Sequence, residues 1–276
     1  MTAFELKLAA CIFMLLDHIG YCADIIWMRV IGRLAFPIFA FLIANGYRHT
    51  GNVRKYIMRL FLFALLSEPC FDRFSSGTWF CPDYQNVMWT LLFGLSCLIV
   101  RDELRKRSQS GRWLYPPVLL SICVVSCLAN TDYAAVGVLT VVAFGTDTGG
   151  LQRLSGQNAP VCKLENRCGR EAPGRTACVL FVLVTCLQPL LYTVAVLLES
   201  VCGVRLCELP LLSAIFPKKL TEWDIVNICR IFAIGPLLLY NGRHGIPRKG
   251  IAAAVCQYGF YAFYPLHMLV LAFIWK

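Results

Sequence analysis

Long apolar stretches recur along the whole of this 276-residue chain, separated by short polar or charged intervals. About 20 apolar residues in a helix cross the roughly 30 Å of hydrocarbon in a bilayer. The chain is 58% hydrophobic and only 15% charged, whereas soluble chains average about 45–50% and about 25%. We therefore predict an all-α, polytopic transmembrane helical bundle that forms a single domain over residues 1–276. The predicted spans, about nine in number, are 4–23, 28–47, 54–68, 85–100, 115–129, 132–145, 177–201, 223–240 and 251–275.

Three of these spans, the third, fifth and sixth, are short for a full crossing. One of them could be re-entrant, or two could share a broken path. A polar, glycine-containing segment at about 146–176 is expected to be a cytoplasmic loop. Only Lys7 precedes the first apolar run, and no small-residue cleavage site follows Gly20. We therefore expect that run to be retained as a span and not removed as a signal peptide.

Basic residues collect in every second loop, which predicts the orientation of the bundle, because Lys and Arg beside a span are retained on the cytoplasmic side. The N-terminus is therefore predicted inside and the C-terminus outside, in a multi-pass cell-membrane protein surrounded by lipids. This orientation accounts for the formal net charge of +10, so no nucleic-acid partner is expected. The sequence does not indicate an oligomeric state. The basic loop residues are Arg48, Arg54, Lys55, Arg59, Arg101, Arg105, Lys106, Arg107, Arg112, Arg153, Lys163, Arg167, Arg170, Arg175, Arg243, Arg248 and Lys249.

Polar side chains inside the predicted spans lie near the outer end of the bundle. Asp17 and His18 stand side by side in an apolar helix, and an ionisable group at membrane depth costs about 2.5–3.5 kcal/mol. Each residue alone has an ordinary structural interpretation, since a buried histidine is more often a hydrogen-bonded core residue than a catalyst. Several helices contributing such groups at one depth favour a polar cavity, because unpaired groups there are costly. The members of this predicted layer are Asp17, His18, Arg29, Arg33, Glu68, Gln85, Asn86, Thr90, Asn227, Arg230, Tyr264 and His267.

Fifteen cysteines raise the question of a metal or redox site. Most lie inside apolar spans, where they are expected to behave as small hydrophobic residues. Cys162 and Cys168 lie in a loop assigned to the cytoplasm, without a histidine or a second cysteine pair to complete a zinc site, so no metal site is expected. Cys70 and Cys81 share an outer loop, and either a disulfide or two free thiols is compatible with the sequence.

Several blocks of the sequence resemble the TraX family of integral membrane proteins. The two longest run from Phe13 to Gly20 and from Ile31 to Thr50. The shorter ones are Ser67-Glu68 with Asp72, Gln85 to Val87, Thr131 to Tyr133, Gly137 to Leu139, Tyr240 to Gly242, and Phe263 to His267. The resemblance implies a role in acetylating the N-terminal amine of conjugative pilin. The family is also similar to multi-span acyltransferases that take acetyl-CoA from the cytoplasm, which implies a histidine near the outer end of an early helix as the base.

His18 fits the position of that base. Acyl transfer to an amine or hydroxyl needs a base for the acceptor's proton and donors for the developing oxyanion. Asp17 points about 100° away from His18 on a helix, so Glu68 or Asp72 is expected to orient the imidazole. His267 is expected to act as a second acid–base group or as a substrate anchor.

Arg33 and Asn86 are the candidate oxyanion donors. An ion pair with Asp17 is the alternative role for Arg33, and a hydrogen bond at a helix start is the alternative for Asn86 and Gln85.

Substrate contacts are expected from Asp72, Gln85, Thr90, Asn227, Arg230 and Tyr264. The phosphates of an acetyl-CoA donor need cations, and the candidates at the inner end of the second span are Arg48, His49, Arg54 and Lys55. Their place in a basic loop is also explained by orientation alone, and no glycine-rich phosphate loop is found in the sequence.

Two function classes fit this sequence. The first is a membrane acyltransferase that moves an acetyl or similar acyl group to an acceptor at the outer face, which could be a pilin-like peptide, a glycan or a lipid. The second is a proton-coupled transporter or a lipid or glycan flippase, with Asp17, His18 and Arg33 on the substrate path. Secondary transporters usually carry two matched halves, and the Asp-His pair occurs only once here. The acyltransferase is therefore the preferred interpretation.

Overall fold

The computed structural model describes residues 1–107, 111–146, 172–202, 226–245 and 250–275, which are helical and contain no strand. One isolated parallel bridge pairs Gln85 with Thr131. The predicted all-helical class is therefore confirmed. The elements are α1 (Ala3–Cys22), α2 (Ile26–Gly32), α3 (Ala35–His49), α4 (Val53–Ser75), α5 (Val87–Arg107), α6 (Gly111–Leu128), α7 (Ala134–Gly145), α8 (Arg175–Cys202), a 3₁₀ helix (Cys229–Ala233), α9 (Ile234–Leu238) and α10 (Ile251–Trp275).

Two helical runs are long and apolar enough to cross a bilayer. They are Ile26–His49 and Ala253–Trp275, and shorter apolar helices cover Arg112–Leu128, Ala134–Gly145, Arg175–Leu187 and Val226–Leu238. The nine crossings and their orientation therefore remain a prediction. The third span was expected to be short, but α4 has 23 residues. The predicted polar loop at 146–176 lies mostly outside the described residues.

The second predicted span is divided into α2 and α3 at Arg33 and Leu34. Pro37 explains the break, because it has no N–H to donate to the Arg33 carbonyl and its ring would clash with that carbonyl in a continuous helix. In the first turn of α3, where backbone N–H groups have no helical partner, the proline is tolerated. Arg33 therefore lies at a helix junction, from which its side chain reaches both α1 and the start of α7.

Glycines let α5 and α7 approach each other closely. A methyl group added to Gly94 would lie 2.6 Å from Cβ of Val141, and one added to Gly137 would collide with Thr90. Small residues at helix contacts are typical of membrane bundles, because they let two backbones pack closely. Helix α7 thus lies in the core, where Val138 is fully buried.

The carboxyl ends of α3, α5 and α7 meet at one end of the bundle, which we call the basic end. Arg48 donates to the carbonyl of Phe144, and Arg101 donates to the carbonyl of Gly145 at 2.9 Å. These are the last carbonyls of α7, where the helix dipole is negative, so two guanidinium groups stabilise that terminus. The polar residues described next lie at the opposite end, which we call the site end.

Candidate active site

Two histidines from opposite ends of the chain meet inside the bundle. Nδ1 of His18 in α1 lies 2.7 Å from Nε2 of His267 in α10, and the stacked rings have centroids 4.9 Å apart. Nδ1 of His267 lies 2.7 Å from the carbonyl oxygen of Phe263, one turn earlier in α10. The ring of Phe74 in α4 packs against His18 with a centroid distance of 5.1 Å. The two histidines of the predicted layer are therefore a directly bonded pair.

The two carboxylates of α4 that were expected to orient His18 bond to other groups in the described part of the chain. Glu68 accepts a hydrogen bond from the backbone N–H of Asn86 at 3.2 Å, and Asp72 accepts one from the backbone N–H of Cys81 at 2.9 Å. Both carboxylates hold the segment between α4 and α5 in place. That segment enters the site end with backbone N–H groups that need acceptors, and the two carboxylates supply them. The partner of the His18 imidazole is His267.

Asp17 forms an ion-paired cluster with two arginines of the α2 region. Its Oδ1 lies 3.3 Å from Nε of Arg29 and 3.7 Å from Nε of Arg33, and the three side chains are only 12–13% exposed. The ion-pair alternative for Arg33 is therefore the arrangement that the structure contains. Asp17 faces α2 and not the imidazole of His18, as the 100° step of a helix predicts. Two guanidinium groups therefore lie close to the histidine pair.

Tyr133 joins this cluster to α3 and to the 3₁₀ helix, and sequence reasoning missed it. Its hydroxyl accepts a hydrogen bond from Nη1 of Arg33 at 3.0 Å, and its ring stacks on Phe36 at 4.0 Å. The guanidinium of Arg230 lies 5.4 Å from the same ring, and its Nε donates to the carbonyl of Asn227 at 2.8 Å. Tyr133 has a φ of 63°, a backbone conformation that is costly for a bulky residue and is often retained at functional sites. The sequence feature that could have identified Tyr133 is the Thr131 to Tyr133 block, one of those that resemble the TraX family.

Asp132 ties the start of α7 to α5 and to the segment before it. Its backbone carbonyl accepts from the hydroxyl of Thr90, and its carboxylate accepts from the hydroxyl of Tyr84 at 2.8 Å. Burial and the neighbouring carboxylate raise the pKa of the Tyr84 phenol well above its ordinary value, although its ring remains 37% exposed. Gln85 exchanges backbone hydrogen bonds with this segment, because its carbonyl accepts from the N–H of Asp132 at 2.9 Å. Thr90 and Gln85 therefore position α7.

The side-chain amide of Asn86 makes two structural hydrogen bonds, and its role as an oxyanion donor stays a prediction. Its Nδ2 donates to the carbonyl of Ala64 in α4 at 2.9 Å, and its Oδ1 accepts from the backbone N–H of Met88 at 2.8 Å. This is the helix-start hydrogen bond that was the alternative, and it fastens α5 to α4. The side-chain amide of Gln85 likewise donates to the carbonyl of Pro82 at 2.9 Å.

Several buried polar atoms at the site end have no hydrogen-bond partner in the described part of the chain. Most buried polar atoms in proteins are paired, so such a group of exceptions needs an explanation. They come from α4 and from the turn before the 3₁₀ helix. The atoms are Ser67 Oγ, Asp72 Oδ1 and Asn227 Oδ1.

The four candidate phosphate-binding residues divide into two pairs at the basic end. Arg48 bonds to the α7 terminus, and Nδ1 of His49 lies 2.9 Å from the carbonyl oxygen of Asn45. Arg54 and Lys55 are exposed on the first turn of α4. Arg54 and Lys55 are therefore the two candidates whose side chains face outward and make no structural contact in the described residues. Cys70 and Cys81 are both free thiols, so their disulfide is not formed.

Comparison with known proteins places most of these residues in a recognised family region. A family profile described as TraX protein matches residues 3–154, more than half of the 276 residues. The chain is also similar to a protein named probable fimbrial assembly protein FimC, serogroup H1, from Dichelobacter nodosus, with 34% identity over 113 residues. That match covers 36% of this chain and 46% of the relative, so the chain spans about half the length of that curated relative. No solved structure matches the chain.

Proposed function

The chain belongs to the TraX family, and we propose that it is a membrane-embedded acyltransferase of a bacterial cytoplasmic membrane. It moves an acetyl group from acetyl-CoA in the cytosol to an acceptor at the extracytoplasmic face. The proposed acceptor is the N-terminal amine of a pilin-like peptide. Similarity to a protein named as a fimbrial assembly protein supports this choice of acceptor.

The proposal rests on the position of the His18 imidazole. It lies in an otherwise apolar bundle beside the Asp17, Arg29 and Arg33 cluster, and it is bonded to His267. A base and cationic hydrogen-bond donors at one place are what acyl transfer to an amine requires. The unpaired buried atoms at the same end support the binding of a polar ligand there.

The proposed reaction starts when the acceptor's amine nitrogen attacks the thioester carbonyl of acetyl-CoA. His18 takes the proton that the nitrogen loses, and Arg33 stabilises the oxyanion that forms on the carbonyl oxygen. The carbon–sulfur bond then breaks as the intermediate collapses, and the imidazolium returns its proton to the departing thiolate. The products are an N-acetylated acceptor and the free thiol of coenzyme A, so atoms and protons balance.

The donor is proposed to enter from the basic end, where Arg54 and Lys55 would bind its phosphates. Lys55 and Glu68 are 13 positions apart in α4, which is about 20 Å at 1.5 Å per residue. The thioester must therefore extend along the bundle to reach the His18 imidazole. The acceptor would approach from the site end.

An assay of the purified protein in lipid nanodiscs tests the proposal. The substrates are acetyl-CoA with a labelled acetyl group and a synthetic peptide with a free N-terminal amine, and the measurement is labelled peptide detected by mass spectrometry. We expect transfer by the wild-type protein and a loss of about 10²–10⁴-fold in His18→Gln, which is the usual contribution of a general base. His244→Gln is the matched control, because it removes an exposed histidine that is not among the candidate site residues, and it should keep wild-type activity.

Sealed vesicles of known orientation test the two sides separately. Acetyl-CoA should be used only from the cytoplasmic face, and a membrane-impermeant peptide should be modified only from the opposite face. Transfer that needs both substrates on the cytoplasmic face would contradict the cross-membrane route. Movement of a solute without any acylated product would instead favour the transporter alternative.

A further inference from the structure

The proton on the His267 ring is located by its hydrogen bond within α10. A carbonyl oxygen can only accept, so Nδ1 of His267, at 2.7 Å from the oxygen of Phe263, must be the donor. A neutral imidazole carries one ring proton, and in His267 that proton is therefore on Nδ1. Its Nε2 is left with a lone pair and can only accept. The hydrogen bond at one ring nitrogen of a neutral histidine thus decides whether the other nitrogen carries a proton.

The same reasoning then determines the tautomer of His18. Its Nδ1 lies 2.7 Å from the accepting Nε2 of His267, so Nδ1 must carry the proton of the His18 ring. Two neutral rings supply two protons, and both are used in this chain of two hydrogen bonds. Nε2 of His18 keeps the lone pair, and it accepts no hydrogen bond from the described part of the protein.

The charged groups around the pair favour this neutral arrangement. Arg29 and Arg33 approach from the α2 region, where both contact the Asp17 carboxylate, and Arg33 also lies near the Asp132 carboxylate. Helix α4 presents the apolar ring of Phe74 to His18, and α10 presents Phe263, whose ring stacks on His267 at 4.8 Å. A third proton on the two rings would add positive charge next to two guanidinium groups in a poorly solvated place.

We propose that His267 is a positioning residue, which holds His18 in the tautomer with a proton on Nδ1 and thereby makes Nε2 the basic atom. The catalytic consequence of this tautomer rests on the proposed function, whereas the tautomer itself rests on the hydrogen-bond geometry alone. An imidazole in water prefers the proton on Nε2, where it would block proton abstraction. His267 takes the place of the carboxylate that orients the histidine of a hydrolase triad. It takes no proton from either substrate.

Nitrogen-15 NMR of the full chain in nanodiscs, labelled at histidine, tests the tautomer directly. The chain has only four histidines, and the variants His18→Gln, His49→Gln and His244→Gln assign the signals by their loss. We expect both His18 and His267 to show a protonated Nδ1 and an unprotonated Nε2. A protonated Nε2 on His18 in the wild-type protein would overturn the proposal.

Two replacements of His267 test its effect on His18. Gln places an accepting oxygen near the position of Nε2, whereas Phe keeps a ring without an acceptor. In His267→Phe, the His18 proton should move to Nε2 and acetyl transfer should fall by up to about 10⁴-fold, the loss seen when the histidine of a hydrolase triad has the wrong tautomer. In His267→Gln, the proton should stay on Nδ1 and the rate should remain within about tenfold of wild type.

The two proposals fail in different ways. If His267→Phe folds and keeps wild-type transfer while His18→Gln is inactive, the positioning role is refuted and the acyltransferase stands. If no acetyl transfer occurs in the wild-type protein but the spectra show the expected tautomers, the function is refuted and the tautomer stands. Should His267→Phe not fold, the wild-type and His267→Gln spectra still decide between the two tautomers of His18.

Discussion

Gly32 lies directly against the backbone of Asp17, where α2 crosses the end of α1. A methyl group added at position 32 would lie 2.7 Å from the backbone nitrogen of Asp17 and closer still to its Cα and Cβ. Backbone atoms of a helix cannot move aside as a flexible side chain can, so Gly32→Ala should push α2 away from α1. We expect a loss of about 1–3 kcal/mol, the usual cost of overpacking, measured as a lower thermal midpoint in detergent micelles.

Gly235→Ala provides the matched control for that substitution. Gly235 lies in α9 and has no neighbouring atom within 4 Å of an added methyl group. Alanine in a helix is favoured over glycine by up to about 1 kcal/mol, so this variant should be as stable as wild type or more stable. Equal midpoints for the two alanine variants would contradict the close approach of Gly32 to Asp17.

Asp17→Asn should destabilise the protein, because it leaves Arg29 and Arg33 without their shared carboxylate. Removing one partner of a buried ion pair typically costs about 3–5 kcal/mol, and we expect the lower part of that range because Asn keeps the shape of Asp. The double variant Asp17→Asn with Arg29→Gln should recover part of the loss, since it also removes one of the two guanidinium groups that Asp17 contacts. Thermal midpoints of the single and double variants measure this.

An exposed ion pair serves as the control for that experiment. Glu103 and Lys106 form a 2.7 Å pair one turn apart in α5, with both side chains 56% exposed. Such surface pairs contribute about 0–1 kcal/mol, so Glu103→Gln should leave the midpoint nearly unchanged. A similar loss of stability in Glu103→Gln and Asp17→Asn would show that the buried Asp17 ion pairs contribute no more than an exposed pair.

Tyr133→Phe should lower both stability and acetyl transfer, because it removes the hydroxyl that holds Arg33. Hydrogen bonds to charged groups contribute about 1.5–3 kcal/mol, while the phenyl ring keeps its stacking on Phe36. We expect a fall in kcat with little change in KM for acetyl-CoA, since the proposed role of Arg33 is in the oxyanion state. Tyr258→Phe is the control, because Tyr258 is exposed and its hydroxyl makes no hydrogen bond in the described residues. Wild-type kinetics in Tyr133→Phe would contradict the prediction that the Tyr133 hydroxyl positions Arg33 for the reaction.

The helices and the polar residues of the site end could be predicted from the sequence, whereas their pairing could not. An apolar run of about 20 residues specifies a helix and its depth, but not how the helix is rotated about its axis. The partner of His18 lies 249 positions away in the chain, and only the rotation of α1 and α10 brings the rings together. Tyr133 was missed for a different reason, since it precedes α7 in a left-handed backbone conformation that no apolar pattern indicates.

The last prediction separates the cations of the basic end that bind a donor from those that support the fold. Arg54→Gln with Lys55→Gln should raise KM for acetyl-CoA about tenfold or more without changing the thermal midpoint, because both side chains are exposed and each phosphate contact is a charge-assisted hydrogen bond. Arg48→Gln should instead lower the free energy of unfolding by about 1–3 kcal/mol, and with it the thermal midpoint, since it leaves the Phe144 carbonyl without its donor. Arg112→Gln removes an exposed positive charge at the start of α6 and should change neither quantity. If the Arg54 and Lys55 variant keeps the wild-type KM, the donor phosphates bind elsewhere on the cytoplasmic face.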